Sequence, residues 1–243
     1  EELHTKTNHP LLDAYLKQSL LDNILRGGKP FVFETKEGLV NYHLFSRKHG
    51  DPERDYNFFN LEPNYFSQGN GNFRDVLQNR RNDNFFYKDL KHFNIVHFLS
   101  FIQADGYNPL SIEGISFEEG YKYSPGAYLQ QKRQEGLSME EAYERLLAKL
   151  KKSSVHYEAN FGEGYWQDHF TYIYDLIENY LRIYPDKEEE LLYHTKVKFF
   201  NSPAKVKPRK DKTFKTNHIR QHHSLTHKAN TQKWLDVEVS VIS

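Results

Sequence analysis

Two stretches of this chain place glycine, aromatic and planar polar residues where a helix begins. The first runs Phe66-Ser67-Gln68-Gly69-Asn70-Gly71-Asn72-Phe73-Arg74-Asp75-Val76-Leu77-Gln78-Asn79-Arg80-Arg81-Asn82-Asp83. Its glycine pair permits tight backbone turns. Arg74, Asp75 and Gln78 follow with planar hydrogen-bonding ends, which match the vicinal hydroxyls of a sugar, a carboxylate or a phosphate. It is not a dinucleotide fingerprint, because Arg74 stands where a third glycine is required. It is not a Walker loop either, because no Gly-Lys-Ser/Thr follows. With no ligand in play, it reads as an Asn/Gly-rich loop ahead of a solvated helix.

The second stretch, Asn160-Phe161-Gly162-Glu163-Gly164-Tyr165-Trp166-Gln167-Asp168-His169, repeats the design. A glycine pair is followed by an aromatic pair and then by polar groups at a helix start. Tyr165 and Trp166 offer flat apolar faces that suit sugars. Asp168 has the bland reading of an N-cap, and Trp166 that of a core residue. Glu163 and Asp168 are the acids with aromatic neighbours, the setting in which glycoside chemistry raises a carboxyl pKa. Glu118-Glu119, Glu140-Glu141 and Glu188-Glu189-Glu190 are further carboxylate groups. The last two sit in polar, helix-forming contexts and read as solvated faces.

The helices that must carry these groups follow from hydrophobic period. Leu11, Leu12, Tyr15, Leu16, Leu20, Ile24 and Leu25 predict a helix ended by Gly27-Gly28. Residues 30–34 and 39–45 predict a hairpin. Residues 46–72 are loop-rich. Helices are predicted over 73–81, 93–102 and 126–134. Ser138-Met139-Glu140-Glu141 is a capping box that starts another helix, running to 152. A further helix is predicted over 168–184, with Phe170, Ile173, Tyr174, Ile177, Tyr180 and Leu181 on one face, followed by a short acidic helix over 186–193.

Composition limits the classes. The chain has 243 residues, no cysteine, and 33 Lys and Arg against 33 Asp and Glu. Disulfides, thiolate metal sites and a cysteine nucleophile are excluded. No apolar run reaches the roughly 18 residues of a membrane helix, and no signal peptide is visible in residues 1–10. A partner membrane is therefore not expected, and a cytoplasmic location is. The neutral total hides a split. Residues 196–228 hold ten Lys and Arg, four histidines and one acid, Asp211. Counterion release by this tail would support a nucleic-acid binder, but no aromatic platform or motif accompanies it. His218, His222, His223 and His227 include i,i+4 pairs that could chelate a metal on a helix. No acid lies among them, and no metal or cofactor is expected. Aromatic residues make 15% of the chain against 37% hydrophobic in total, so rings carry much of the core.

At the two stretches above, the sequence resembles glycoside hydrolase family 94 phosphorylases, nearest the branch of the 1,2-β-oligoglucan phosphorylases. Arg47-Lys48-His49-Gly50-Asp51, Gln103-Ala104-Asp105-Gly106-Tyr107-Asn108-Pro109 and Asn201-Ser202-Pro203-Ala204-Lys205-Val206-Lys207-Pro208-Arg209 extend the resemblance over residues 10–215, in the family's order. It implies a mainly α fold: a partial (α/α)6 toroid with a short N-terminal β-hairpin. The implied divisions are residues 1–60 as linker helix and hairpin, 61–195 as part of the toroid, and 196–243 as a basic tail. It implies inverting phosphorolysis of β-glucosides to glucose 1-phosphate. An Asp acts as general acid and inorganic phosphate is the co-substrate, so one catalytic carboxyl suffices.

Arg74, Asp75 and Gln78 fall on the family segment that builds the donor-sugar end. Asp168 falls on an acid that bonds donor-sugar hydroxyls in cellobiose phosphorylase-like members. Those members have Arg six residues earlier, where this chain has Gly162; Glu163 or Gln167 is the candidate substitute. The general acid lies in a Trp-Asn-Asp motif that this chain lacks, Asp236 after Trp234-Leu235 being only a poor imitation. The expected site is therefore substrate-binding, with Arg74, Asp75, Gln78, Tyr165, Trp166 and Asp168, and secondarily Glu163 and Gln167. No catalytic residue is expected in this chain. The expected partners are a β-glucan or glucooligosaccharide and the rest of the toroid in a longer protein, with the chain inactive alone. The alternatives are a non-catalytic glucan-binding protein and, third, a nucleic-acid binder through the tail.

Overall fold

The computed structural model describes residues 4–44, 71–161, 166–201, 207–211, 213–215, 220–222 and 234–242. Helix α1 (Pro10–Gly27) opens on Pro10, which suits a first helical turn. It closes at Gly28, whose φ of 79° is strained for residues with a Cβ and whose N–H bonds the Ile24 carbonyl. The expected hairpin forms as β1 (Lys29–Thr35) and β2 (Gly38–Leu44), joined by a two-residue turn with Thr35 opposite Gly38.

After β3 (Gly71–Asn72) come α2 (Phe73–Arg80), α3 (Asp83–Phe86) and α4 (Phe93–Leu99). Strands β4 (Ser111–Glu119) and β5 (Tyr121–Tyr123) then lead into α5 (Pro125–Gln134) and α6 (Met139–Leu150). The capping box is present at α6: Glu141 N–H bonds the Ser138 hydroxyl at 3.2 Å, and Ser138 N–H bonds the Glu141 carboxylate at 2.8 Å. Strand β6 (Ser154–Asn160) precedes α7 (Asp168–Ile183). In place of the expected acidic helix over 186–193 there is a 3-10 turn at Pro185–Lys187 and a π-helical turn at Glu190–His194. The described chain ends with β7 (Lys196–Phe200), β8 (Thr213–Lys215), β9 (Arg220–His222) and β10 (Trp234–Ser240).

The expected mainly α architecture, a partial (α/α)6 toroid, is overturned. Strands β3, β4, β5 and β6 form a four-stranded antiparallel sheet, and β1–β2, β7–β10 and β8–β9 pair separately. The physical cause lies in residues 111–119 and 154–160. In β6, Val155, Tyr157 and Ala159 are buried while Ser154, His156, Glu158 and Asn160 are less so, the period of two that a half-buried strand requires. A toroid packs helix on helix, whereas here α6 packs on β1 and β4 as well as on α5.

Aromatic rings tie these layers together, as the composition implied. Phe33 meets Phe117 edge-on at 6.3 Å and Tyr42 at 5.9 Å, joining the hairpin to the sheet. Phe101 contacts Phe200 at 5.7 Å, which brings β7 into the same core as α4. The Phe200 N–H also bonds the Ile102 carbonyl at 2.9 Å. No helix among the described residues is long and apolar enough to cross a membrane.

Candidate saccharide site

Two helix starts converge. Phe73 begins α2 with its N–H bonded to the Leu110 carbonyl at 2.8 Å. The Leu110 N–H in turn bonds the Asn160 carbonyl at 2.8 Å, so the end of β6 lies beside the start of α2. From there the chain reaches Trp166 and α7. The Asn108 amide fixes the Trp166 carbonyl at 3.2 Å.

This places the two expected polar clusters together. Arg74 Nη1 lies 3.9 Å from Asp168 Oδ2, and Arg74 Nε lies 3.5 Å from Asp75 Oδ1. The Asn72 amide donates to Asp75 Oδ2 at 3.2 Å. Asp75 and Asp168 both occupy first helical turns, where a carboxylate interacts favourably with the helix dipole. Both Arg74 and Asp168 are substantially exposed, at 45% and 46% of their side chains. The ion pair between them therefore adds little stability, and its oxygens and N–H groups can be reached from solvent.

Gln78 lies one turn along α2 from Arg74 and is exposed, as is Gln167 at the start of α7. Seven residues further on, Arg81 Nη1 pairs with Asp175 Oδ2 at 3.2 Å. The same step of seven along both helices shows that α2 and α7 run side by side in the same direction. Tyr165 and Glu163 lie outside the described residues, as do the glycines Gly69, Gly162 and Gly164, the segment 47–51, Ser202 to Val206, and His218, His223 and His227. Among the described residues no group of three or more His, Asp and Glu side chains could hold a metal ion.

His169, outside the expected set of site residues, is the third component. Phe73, fully buried, stacks on His169 at 5.0 Å and 30°. His169 stacks on Trp166 at 5.9 Å and 18°. The three rings step from the core to the surface, where Trp166 is 37% exposed. Burial holds the His169 pKa down to about 4; the adjacent Asp168 carboxylate opposes this and Arg74 reinforces it. The imidazole is neutral at pH 7, and its Nδ1 is buried without a hydrogen-bond partner. A neutral ring stacks on indole without the desolvation cost of a charge. The sequence signal for this role was position alone: His169 follows the acid and sits four residues before Ile173, on the buried stripe of α7.

The assembled surface has one flat apolar ring, held from behind, beside a guanidinium and two carboxylates. That combination suits a pyranose, whose C–H face stacks on indole while its hydroxyls donate to carboxylate and accept from guanidinium. Asp168 is exposed and Asp75 is partly buried among polar groups. That fits hydroxyl binding better than proton donation, which calls for a carboxyl in an apolar pocket. No protein family, curated protein or solved structure matches this chain.

Proposed function

We propose that this chain holds a β-glucan or glucooligosaccharide at the surface formed by Trp166, Arg74, Asp75 and Asp168. The observation that carries the reading is the meeting of Arg74 and Asp168 beside a partly exposed indole braced by His169. The resemblance to inverting β-glucan phosphorylases supports it and names the larger activity to which it belongs: phosphorolysis with inorganic phosphate as co-substrate, in the cytoplasm. In that setting these residues grip the donor sugar and leave proton transfer to a different carboxyl. The geometry equally serves a non-catalytic glucan-binding protein, since the acids of the cluster are suited to binding.

Titration calorimetry with β-1,2-glucooligosaccharides tests the reading. Saturable binding is expected, weakened at least tenfold by Trp166→Ala and by Arg74→Ala, with no glucose 1-phosphate formed when phosphate is added. A tenfold loss corresponds to about 1.4 kcal/mol. Binding that survives both substitutions unchanged would sink the proposal. Release of glucose 1-phosphate would show that a described or neighbouring acid performs the chemistry.

A further inference from the structure

The tip of the β1–β2 hairpin, helix α4, strand β6 and the β7–β10 pair line an open cavity of about 680 Å³. It shares no lining residue with the saccharide site. Its volume falls within the range of small-molecule sites, roughly 300–1,000 Å³. One side of it is a cluster of three rings: Phe93 stacks on His97 at 5.6 Å and 17°, and Tyr157 lies 4.9 Å from the same imidazole. Val40, Val96 and Val155 complete an apolar floor.

The wall carries polar groups without carrying charge. Burial, reinforced by the Arg80 guanidinium and by the neighbouring His43, which resists a second protonated ring beside it, holds His97 down to about 3, so its imidazole is neutral at pH 7. Burial pushes the Tyr157 phenol up, so it keeps its proton. No hydrogen bond to the His97 ring forms among the described residues, and the ring borders the cavity. A ring nitrogen is therefore left to bond whatever enters, as acceptor or as N–H donor according to the tautomer.

The mouth is balanced. Lys198 and Glu238 face each other across the β7–β10 pair at 3.5 Å. Lys196 and Glu37 add one charge of each sign. With the charges at the mouth cancelling and the wall uncharged, an ion would lose hydration on entry without a matched counter-charge at the floor.

We propose that this cavity binds a flat, uncharged ring compound of one or two fused rings, stacked on the Phe93–His97–Tyr157 wall and hydrogen-bonded to His97. The site is independent of the saccharide surface.

The probe is indole, followed by calorimetry and by ligand-observed NMR. Saturable one-to-one binding is expected, with indole-3-acetate and tryptamine each at least fivefold weaker. Indene has the same shape without the N–H and should bind more weakly than indole. His97→Phe should bring indole down to the level of indene. Val96→Trp fills the floor and should abolish binding; Leu39→Trp, at the exposed mouth, does the same without disturbing the core if Val96→Trp fails to fold. Trp166→Ala should leave indole binding unchanged, which keeps this test separate from that of the saccharide site. Absence of saturable binding, binding indifferent to both filling substitutions, or displacement of indole by methyl β-D-glucoside would overturn the proposal.

Discussion

In the proposed saccharide site, the contribution of His169 is indirect, through the ring it supports. Its ring fills the space between Phe73, in the core, and Trp166, at the surface, so the indole has a rigid backing. His169→Ala should weaken glucan binding several-fold by calorimetry, while His169→Phe, which keeps a stacking ring, should retain most of it. Loss in both variants would mean that the imidazole itself, and not its face, is required. The polar groups Arg74, Asp75 and Asp168 were legible in the sequence because glycine, aromatic and acid side by side is an uncommon combination. The bracing histidine was not, because a lone histidine on a helix has no type-specific partner. Phe170 and Tyr174 show the converse. Their period places them on the packed face, yet they are 43% and 61% exposed. The buried stripe of α7 runs through His169, Ile173, Leu176 and Tyr180, and a residue next to such a stripe is turned by 100° away from it.

At the scale of elements, local signals and tertiary ones separate. The start of α6 is written locally, in Ser138 and Glu141, and it forms as expected. Ser138→Ala should cost about 1 kcal/mol in urea unfolding, because the orphan Glu141 amide loses its hydroxyl acceptor. Leu146, fully buried where α6 meets the sheet, should cost about 2–5 kcal/mol as Leu146→Ala. Strand β4 went unread for a physical reason. Its pairing with β6 shifts register between Ile112 and Gly114, which breaks the alternation. Its last residues, Glu118 and Glu119, look like a carboxylate pair. In the fold they diverge: Glu118 pairs with His156 at 2.7 Å and Glu119 with Lys149 at 2.9 Å. Opposite sides of a strand cannot both serve one site, so these acids hold β4 to β6 and to α6.

For the whole molecule, the excess of aromatic residues has an electrostatic companion. Three imidazoles sit in the aromatic interior and are held neutral chiefly by burial: His43 and His169 at about 4 and His97 at about 3. His43 also bonds the buried Asp83 carboxylate at 2.9 Å, which opposes the shift, while Arg80 adds to it. In the unfolded chain each returns to its ordinary value near 6.5. The stability that depends on their neutrality is therefore complete above about pH 6.5. It falls as pH drops toward 4 and 3, because only the unfolded state takes up the protons there. Each histidine contributes a slope of up to about 1.4 kcal/mol per pH unit. Urea midpoints measured from pH 7 to pH 4.5 should fall steeply, and His169→Phe should flatten the curve. A flat profile in the unsubstituted protein would contradict the burial of these rings.

Strand β4 pairs with β3 and β5 along one side and with β6 along the other. Its central residues Ile115 and Phe117 are buried, Phe117 against the Phe33 and Tyr42 rings of the hairpin. Ile115 pairs with Tyr157 of β6, and Phe117 with Val155 of β6 and Tyr123 of β5, so their amide protons reach water only when the centre of the sheet opens and the core packed on it comes away. In deuterated solvent these amides should be the last to exchange, at a rate set by opening of the entire fold, while those of β1 and β2, which among the described residues pair only with each other, exchange through smaller local excursions.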